Sequence, residues 1–107
     1  LVGIGSLLRQ IHLVAEDETG LERSLAIALG DRLRDLRHKA GLTQEQLAHQ
    51  ADMTRNHYQV LESGRTSHGV PPNPTLRSIY NISLVLNIPI TDLLDGIFPT
   101  DAQVRSY

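Results

Sequence analysis

Five histidines and twelve carboxylates are the side chains of this 107-residue chain that could hold a metal or move protons. His12, His38, His49, His57 and His68 follow one another at spacings of 26, 11, 8 and 11, which match no ligand pair of a helix or hairpin. Cysteine is absent, which excludes a thiolate nucleophile, a cysteine metal site and a disulfide frame. Gly3 and Gly5 are too isolated to form a phosphate loop, no nucleophile motif occurs, and Asp31 and Asp35 fall on the solvent side of a helix. The expectation is a protein that is not an enzyme and needs neither metal nor cofactor.

The cations say more through their distribution. Residues 1–31 set two arginines against five carboxylates, a net −3, whereas residues 32–77 set seven cations against four carboxylates, a net +3. The remainder carries −2, so a basic middle sits inside a chain of net charge −2. Such an asymmetry suits a face that binds a polyanion, although a solvated mixture of charges gives it too. With 40% hydrophobic and 21% charged residues the composition is that of an ordinary globular domain. No window approaches the roughly 18 uninterrupted apolar residues of a membrane span, and the first stretch lacks the pattern of a secretory signal. No membrane association is expected, and the expected compartment is the cytoplasm.

The elements that must position these residues read as helices. Ile4, Leu7, Leu8, Ile11, Val14 and Ala15 recur at helical spacing over residues 4–15, with a strand through Ile11–Ala15 as the weaker alternative. Thr19 and Glu22 have the spacing of a capping box, followed by the stripe Leu21, Leu25, Leu29, Leu33 and Leu36 and a stop at Gly41, a helix of roughly 18 residues. Thr43 and Gln46 form a second capping box before Leu47, Ala48 and Ala51; after a break at Asp52-Met53, Thr54 caps a helix that ends at Gly64. Two helices joined by about three residues make a helix-turn-helix connection. Residues 65–74 are a turn-rich loop. Thr75 caps a further helix with Leu76, Ile79, Ile82, Val85 and Leu86 on its apolar face, and a short helix over residues 91–94 ends at Asp95-Gly96.

The ordered set Gly41-Leu42-Thr43-Gln44, Leu47-Ala48, Ala51, Leu61-Glu62, Gly64 and Asn73-Pro74-Thr75-Leu76 resembles the phage-repressor-like (Cro/cI or Xre type) helix-turn-helix family. The resemblance covers residues 29–65 and 73–94. It implies an all-α, compact five-helix domain that binds operator DNA, with an extra N-terminal helical segment. The expected organisation is an N-terminal extension and linker over 1–20, the DNA-binding domain over 21–96 and a C-terminal tail over 97–107. Asp52 stands where the family usually has glycine, and aspartate tolerates a left-handed backbone. The loop after Gly64 is about six residues longer than the common family pattern.

Within this resemblance Ala48 lets the motif's helices cross closely, and Leu47, Met53, Tyr58 and Leu61 face inward. Arg55, Asn56, Gln59 and Val60 then share the outer face with Ser63. Arginine suits guanine, asparagine and glutamine suit adenine, and an apolar tip suits a thymine methyl, so the first four are the expected base readers. Thr43, Gln44, Thr54, Ser63 and Arg65 are the expected phosphate contacts, with Gln44 aided by backbone N–H groups at its helix start. The resemblance also implies an ion pair between Arg37 and Glu62.

Tyr80 and Leu84 fall on a face that should be wet, while Leu7, Leu8, Ile11 and Val14 form a stripe with no partner inside the five helices. These six residues are expected to pack together, in cis or across a homodimer on a palindromic operator. The reading is a small transcriptional regulator that occupies double-stranded DNA at the nucleoid. A protein-interaction module, such as an antitoxin holding a partner protein through its terminal arms, is the alternative that the acidic first 31 residues favour.

Overall fold

The computed structural model describes residues 18–98. These residues form five helices, α1 (Glu18–Lys39), α2 (Gln44–Gln50), α3 (Arg55–Ser63), α4 (Leu76–Leu86) and α5 (Ile90–Leu93), and no strand. Residues 1–17 and 99–107, which include Leu7, Leu8, Ile11 and Val14, lie outside the described residues.

Local chemistry sets most of the helix ends. Thr43, Thr54 and Thr75 each stand in extended backbone and accept a hydrogen bond from the amide three residues on. At Thr43 the box is complete, because Gln46 Oε1 accepts from the Thr43 amide at 2.9 Å. Three helices stop through a left-handed residue with paired return bonds. At Gly41 (φ 72°) these bonds are Leu42 N to Arg37 O and Gly41 N to His38 O; at Asp52 (φ 58°) they are Met53 N to Ala48 O and Asp52 N to His49 O. At Asn87 (φ 55°) they are Ile88 N to Ser83 O and Asn87 N to Leu84 O. Asp52 therefore takes the backbone conformation that glycine would take, which aspartate reaches at modest cost.

Two boundaries and one buried position differ from the sequence reading. Glu18 is already helical, so Thr19 lies inside α1 rather than capping it. The last helix begins at Ile90 behind Pro89, whose fixed φ suits a helix entry. Leu76, placed by periodicity on the buried face of α4, is 78% exposed. It is the first helical residue, beyond the reach of the core that Ile79 and Ile82 enter.

The core is formed by Leu29 and Leu33 of α1, Leu47 and Ala48 of α2, Ala51, Tyr58 and Leu61 of α3, Ile79 and Ile82 of α4, and Leu93 of α5. Side-chain bonds to carbonyls join its parts: Asn81 Nδ2 donates to Ala51 O at 3.2 Å, and Arg32 Nη2 donates to Asp92 O at 2.7 Å. The tightest contact lies between α1 and the end of α3. A Cβ added to Gly30 would fall 3.0 Å from the Leu61 carbonyl oxygen, 2.9 Å from the Glu62 carbonyl carbon, and closer still to the Glu62 oxygen. Gly64 (φ 73°) lies against the Ala26 carbonyl and the Ile27 backbone in the same way, its Cβ site 3.1 and 3.2 Å from them. Two glycines, one per segment, thus let the backbones touch.

Glycine inside a helix ordinarily costs about 1 kcal/mol relative to alanine, so Gly30→Ala would stabilise an isolated α1. In the folded protein it is expected to destabilise by about 1–3 kcal/mol, because backbone must move to admit the methyl group. Urea denaturation of the two proteins checks the sign.

Candidate nucleic-acid interface

Burying Tyr58 and Leu61 turns the opposite side of α3 outward. Arg55, Asn56, Gln59 and Ser63 are exposed and Val60 is half-buried. Nothing in the described chain covers Arg55 and Asn56 at the N-terminal end of the helix. Arg55 borders a surface groove with Thr43, Glu45, Gln46, His49 and Met53, and a second with Thr43, Gln44 and Gly41. The structure therefore brings Thr43, Gln44 and Arg55 to one surface, where the helix starts of α2 and α3 converge.

Thr43 and Thr54 each use a hydroxyl oxygen lone pair for their caps, which leaves the hydroxyl hydrogen free to donate. Ser63 is engaged differently. Its Oγ lies 3.0 Å from the carbonyls of both Val60 and Arg65 and accepts from the Arg65 amide at 3.2 Å, closing the end of α3. Arg65 does not join the Thr43–Arg55 surface but borders a separate groove with Arg23 and Ile27 of α1. Beyond it the lengthened loop closes on itself through Thr66 N to Val70 O and Gly69 N to Thr66 O.

The orientation of α3 is held from behind. Arg37 Nε donates to Glu62 Oε2 at 2.9 Å and Nη2 donates to Oε1 at 2.8 Å, a two-pronged pair with Glu62 only 2% and the Arg37 side chain 11% exposed. Arg37 Nη1 donates to Leu42 O at 2.9 Å, so one guanidinium ties α1 to both the α1–α2 turn and α3. Arg34, a residue that the sequence reading passed over, adds Nη2 to Glu62 O at 3.2 Å and Nε near Oε1 at 3.5 Å. Its place one turn before Arg37, on the same helix face, was the available signal. His49, bordering the groove beside Arg55, was weighed only as a metal ligand.

Burial alone pushes the Glu62 carboxyl up, but the Arg37 hydrogen bonds, with the nearby Tyr58 hydroxyl and Gln44 amide, outweigh it and leave the group below its ordinary value. Arg37 is raised in turn, first by its bonds to Glu62. The buried Tyr58 hydroxyl has no hydrogen-bond partner among the described residues. Burial, then the neighbouring carboxylate, raise its ionisation, so it stays neutral.

The arrangement is a short helix with a polar outward face, held by two neighbouring helices through a tight turn. Residues 28–82 match the family model described as a helix-turn-helix domain, about half of the chain. The chain belongs to the helix-turn-helix domain family. It is 40% identical over 62 residues to an uncharacterized HTH-type transcriptional regulator of Archaeoglobus fulgidus, a match spanning 58% of this chain and 80% of that protein. No solved structure matches the chain. The helix-turn-helix unit consists of α2, the Asp52 turn and α3, and α1, through Arg34 and Arg37, is the support against which α3 is set.

Glu62 titrates near pH 4.3 in an unfolded chain and lower in the fold. The stabilisation it provides is therefore present above that range and lost as pH falls through the folded value. Glu62→Gln is expected to cost about 3–5 kcal/mol at pH 7, as for removal of one member of a buried pair. The difference from the parent should shrink below about pH 4. Denaturation midpoints of both proteins measured from pH 7 to pH 3 check this; a constant difference would contradict it.

Proposed function

We propose that this protein is a small transcriptional regulator that binds double-stranded DNA sequence-specifically, with the N-terminal end of α3 in the major groove. The observation that carries the proposal is the exposed set Arg55, Asn56 and Gln59 on a helix whose angle is fixed by the Arg37–Glu62 pair. Arg55 pairs with guanine, Asn56 and Gln59 with adenine, and Val60 meets a thymine methyl group. Thr43, Gln44 and Thr54 contact phosphates at the two helix starts, where unpaired amides and the helix dipole favour an anion. Ser63 and Arg65 are assigned phosphate contacts further along, Arg65 from the α1 side of the loop. The protein acts by occupying its site rather than by turnover, at the nucleoid.

Two half-sites one helical turn apart would supply the contacts that one 11.9 kDa module lacks. We assign the dimer contact to α4. Leu76, Tyr80 and Leu84 recur every four residues along its exposed side and make an apolar stripe that water should not face.

Selection of bound sequences from random DNA would define the operator. On it, Arg55→Ala or Asn56→Ala is expected to cost about 1–3 kcal/mol and to relax preference at one or two positions, with binding to random DNA little changed. Equal losses on both DNAs would mean phosphate contact instead of base reading.

In sedimentation at micromolar concentration the parent is expected to run as a dimer, and Leu84→Glu as a monomer of unchanged helicity. A monomeric parent would refute the dimer.

A further inference from the structure

An apolar groove lies away from both the α3 face and the α4 stripe. Leu25, Ala26 and Leu29 of α1 form one wall, Val70 and Pro71 of the loop another, and Leu94, Ile97 and Phe98 the third. Val70 and Phe98 are each 57% exposed although they border a concave apolar surface. None of Leu76, Tyr80 or Leu84 lines it. We propose that this groove is the docking site of the chain's own residues 4–15, which lie back along α1 and cover it.

Three observations select that occupant. The segment carries Leu7, Leu8, Ile11 and Val14 at helical spacing, an apolar stripe that matches the groove in chemistry. It is attached at the groove's own end, since only Glu16 and Asp17 separate it from α1, a connection of the length that reverses a helical hairpin. Its reach also fits. Twelve residues in a helix span roughly 18 Å. The α1 residues that border the groove, Glu22 to Leu29, lie roughly 6 to 17 Å along α1 from Glu18. In this antiparallel register Ile11 comes level with Glu22, and Leu8 and Leu7 with Leu25 and Ala26. A twelve-residue helix is marginal alone in water, and the groove supplies the apolar surface that it needs. Docking in cis here leaves the α4 stripe open for a second copy, so the proposal stands apart from the dimer and from DNA binding.

Because the chain has no cysteine, introduced cysteine pairs report proximity without background. Three full-length proteins, each with Ile11→Cys and one of Val70→Cys, Phe98→Cys or Leu84→Cys, would be oxidised at low concentration and resolved by non-reducing electrophoresis and intact mass. An intramolecular disulfide in the Val70 or Phe98 protein, absent from the Leu84 protein, is the expected result. Disulfides only between chains would make a second copy the occupant, a bond only in the Leu84 protein would place the segment on α4, and no bond in any would leave the groove to another occupant; each overturns the proposal. As a second measurement, Ile11→Asp is expected to lower the melting midpoint of the full chain by about 5 °C. Ile11→Asp added to Val70→Asp should lower it by less than the sum of the two single changes. Full additivity would also count against docking.

Discussion

The placement of α3 depends on one guanidinium. Arg37 reaches three acceptors on two other parts of the chain, both Glu62 oxygens and the Leu42 carbonyl. A lysine could not do this, because a single ammonium lacks the planar fork that meets a carboxylate with two parallel bonds. The pair is not a cheap way to gain stability, since both charges are taken largely out of water. It gives direction instead. Leucine side chains at the same crossing would tolerate sliding, whereas a two-pronged bond fixes α3 in rotation and along its axis. For the base reading proposed for its outward residues, that fixed placement matters more than tight packing.

The backbone contact at Gly30 and Gly64 complements the ion pair. With no side chain on Gly30 or Gly64, α1 and the end of α3 come close enough for Arg34 and Arg37 to reach Glu62. Glu62 sits where three constraints meet: its carboxylate is held by Arg37, its carbonyl by Arg34, and its backbone by Gly30. Tyr58, fully buried, lies beside the Glu62 carboxylate. The outer face of α3 is free to be polar because all of its restraint comes from behind.

Features written into a few adjacent residues were legible in the sequence. The three threonine caps, the Gly41 and Gly64 stops and the turn at Asp52 each depend on local hydrogen bonding or on tolerance of a positive φ. The outward set Arg55, Asn56 and Gln59 was legible because a period of 3.6 residues, once Tyr58 and Leu61 are placed inside, leaves only one other side. What depends on which elements meet was not. Periodicity put Leu76 in the core because it cannot know where α4 leaves its neighbours. Arg34 and Arg32 count only as two cations of the basic middle in the sequence, and their carbonyl acceptors are set by where α3 and α5 pack. Nothing in the residues around Gly30 indicates that the Glu62 backbone packs against it.

The self-contained ends of α2, α3 and α4 bear on how the chain reaches its fold. Each of these helices carries its own start and stop within a few residues, which biases where helical turns form, although helices of 7, 9 and 11 residues persist only once packed. Chains rich in local contacts assemble quickly, because little loop entropy is lost before contacts repay it. The step that remains is the meeting of Gly30 and Arg37 with Glu62, partners 32 and 25 residues apart in sequence. Until it occurs, α3 has no fixed direction. The proposed reading surface therefore takes its orientation only when α1 closes on α3.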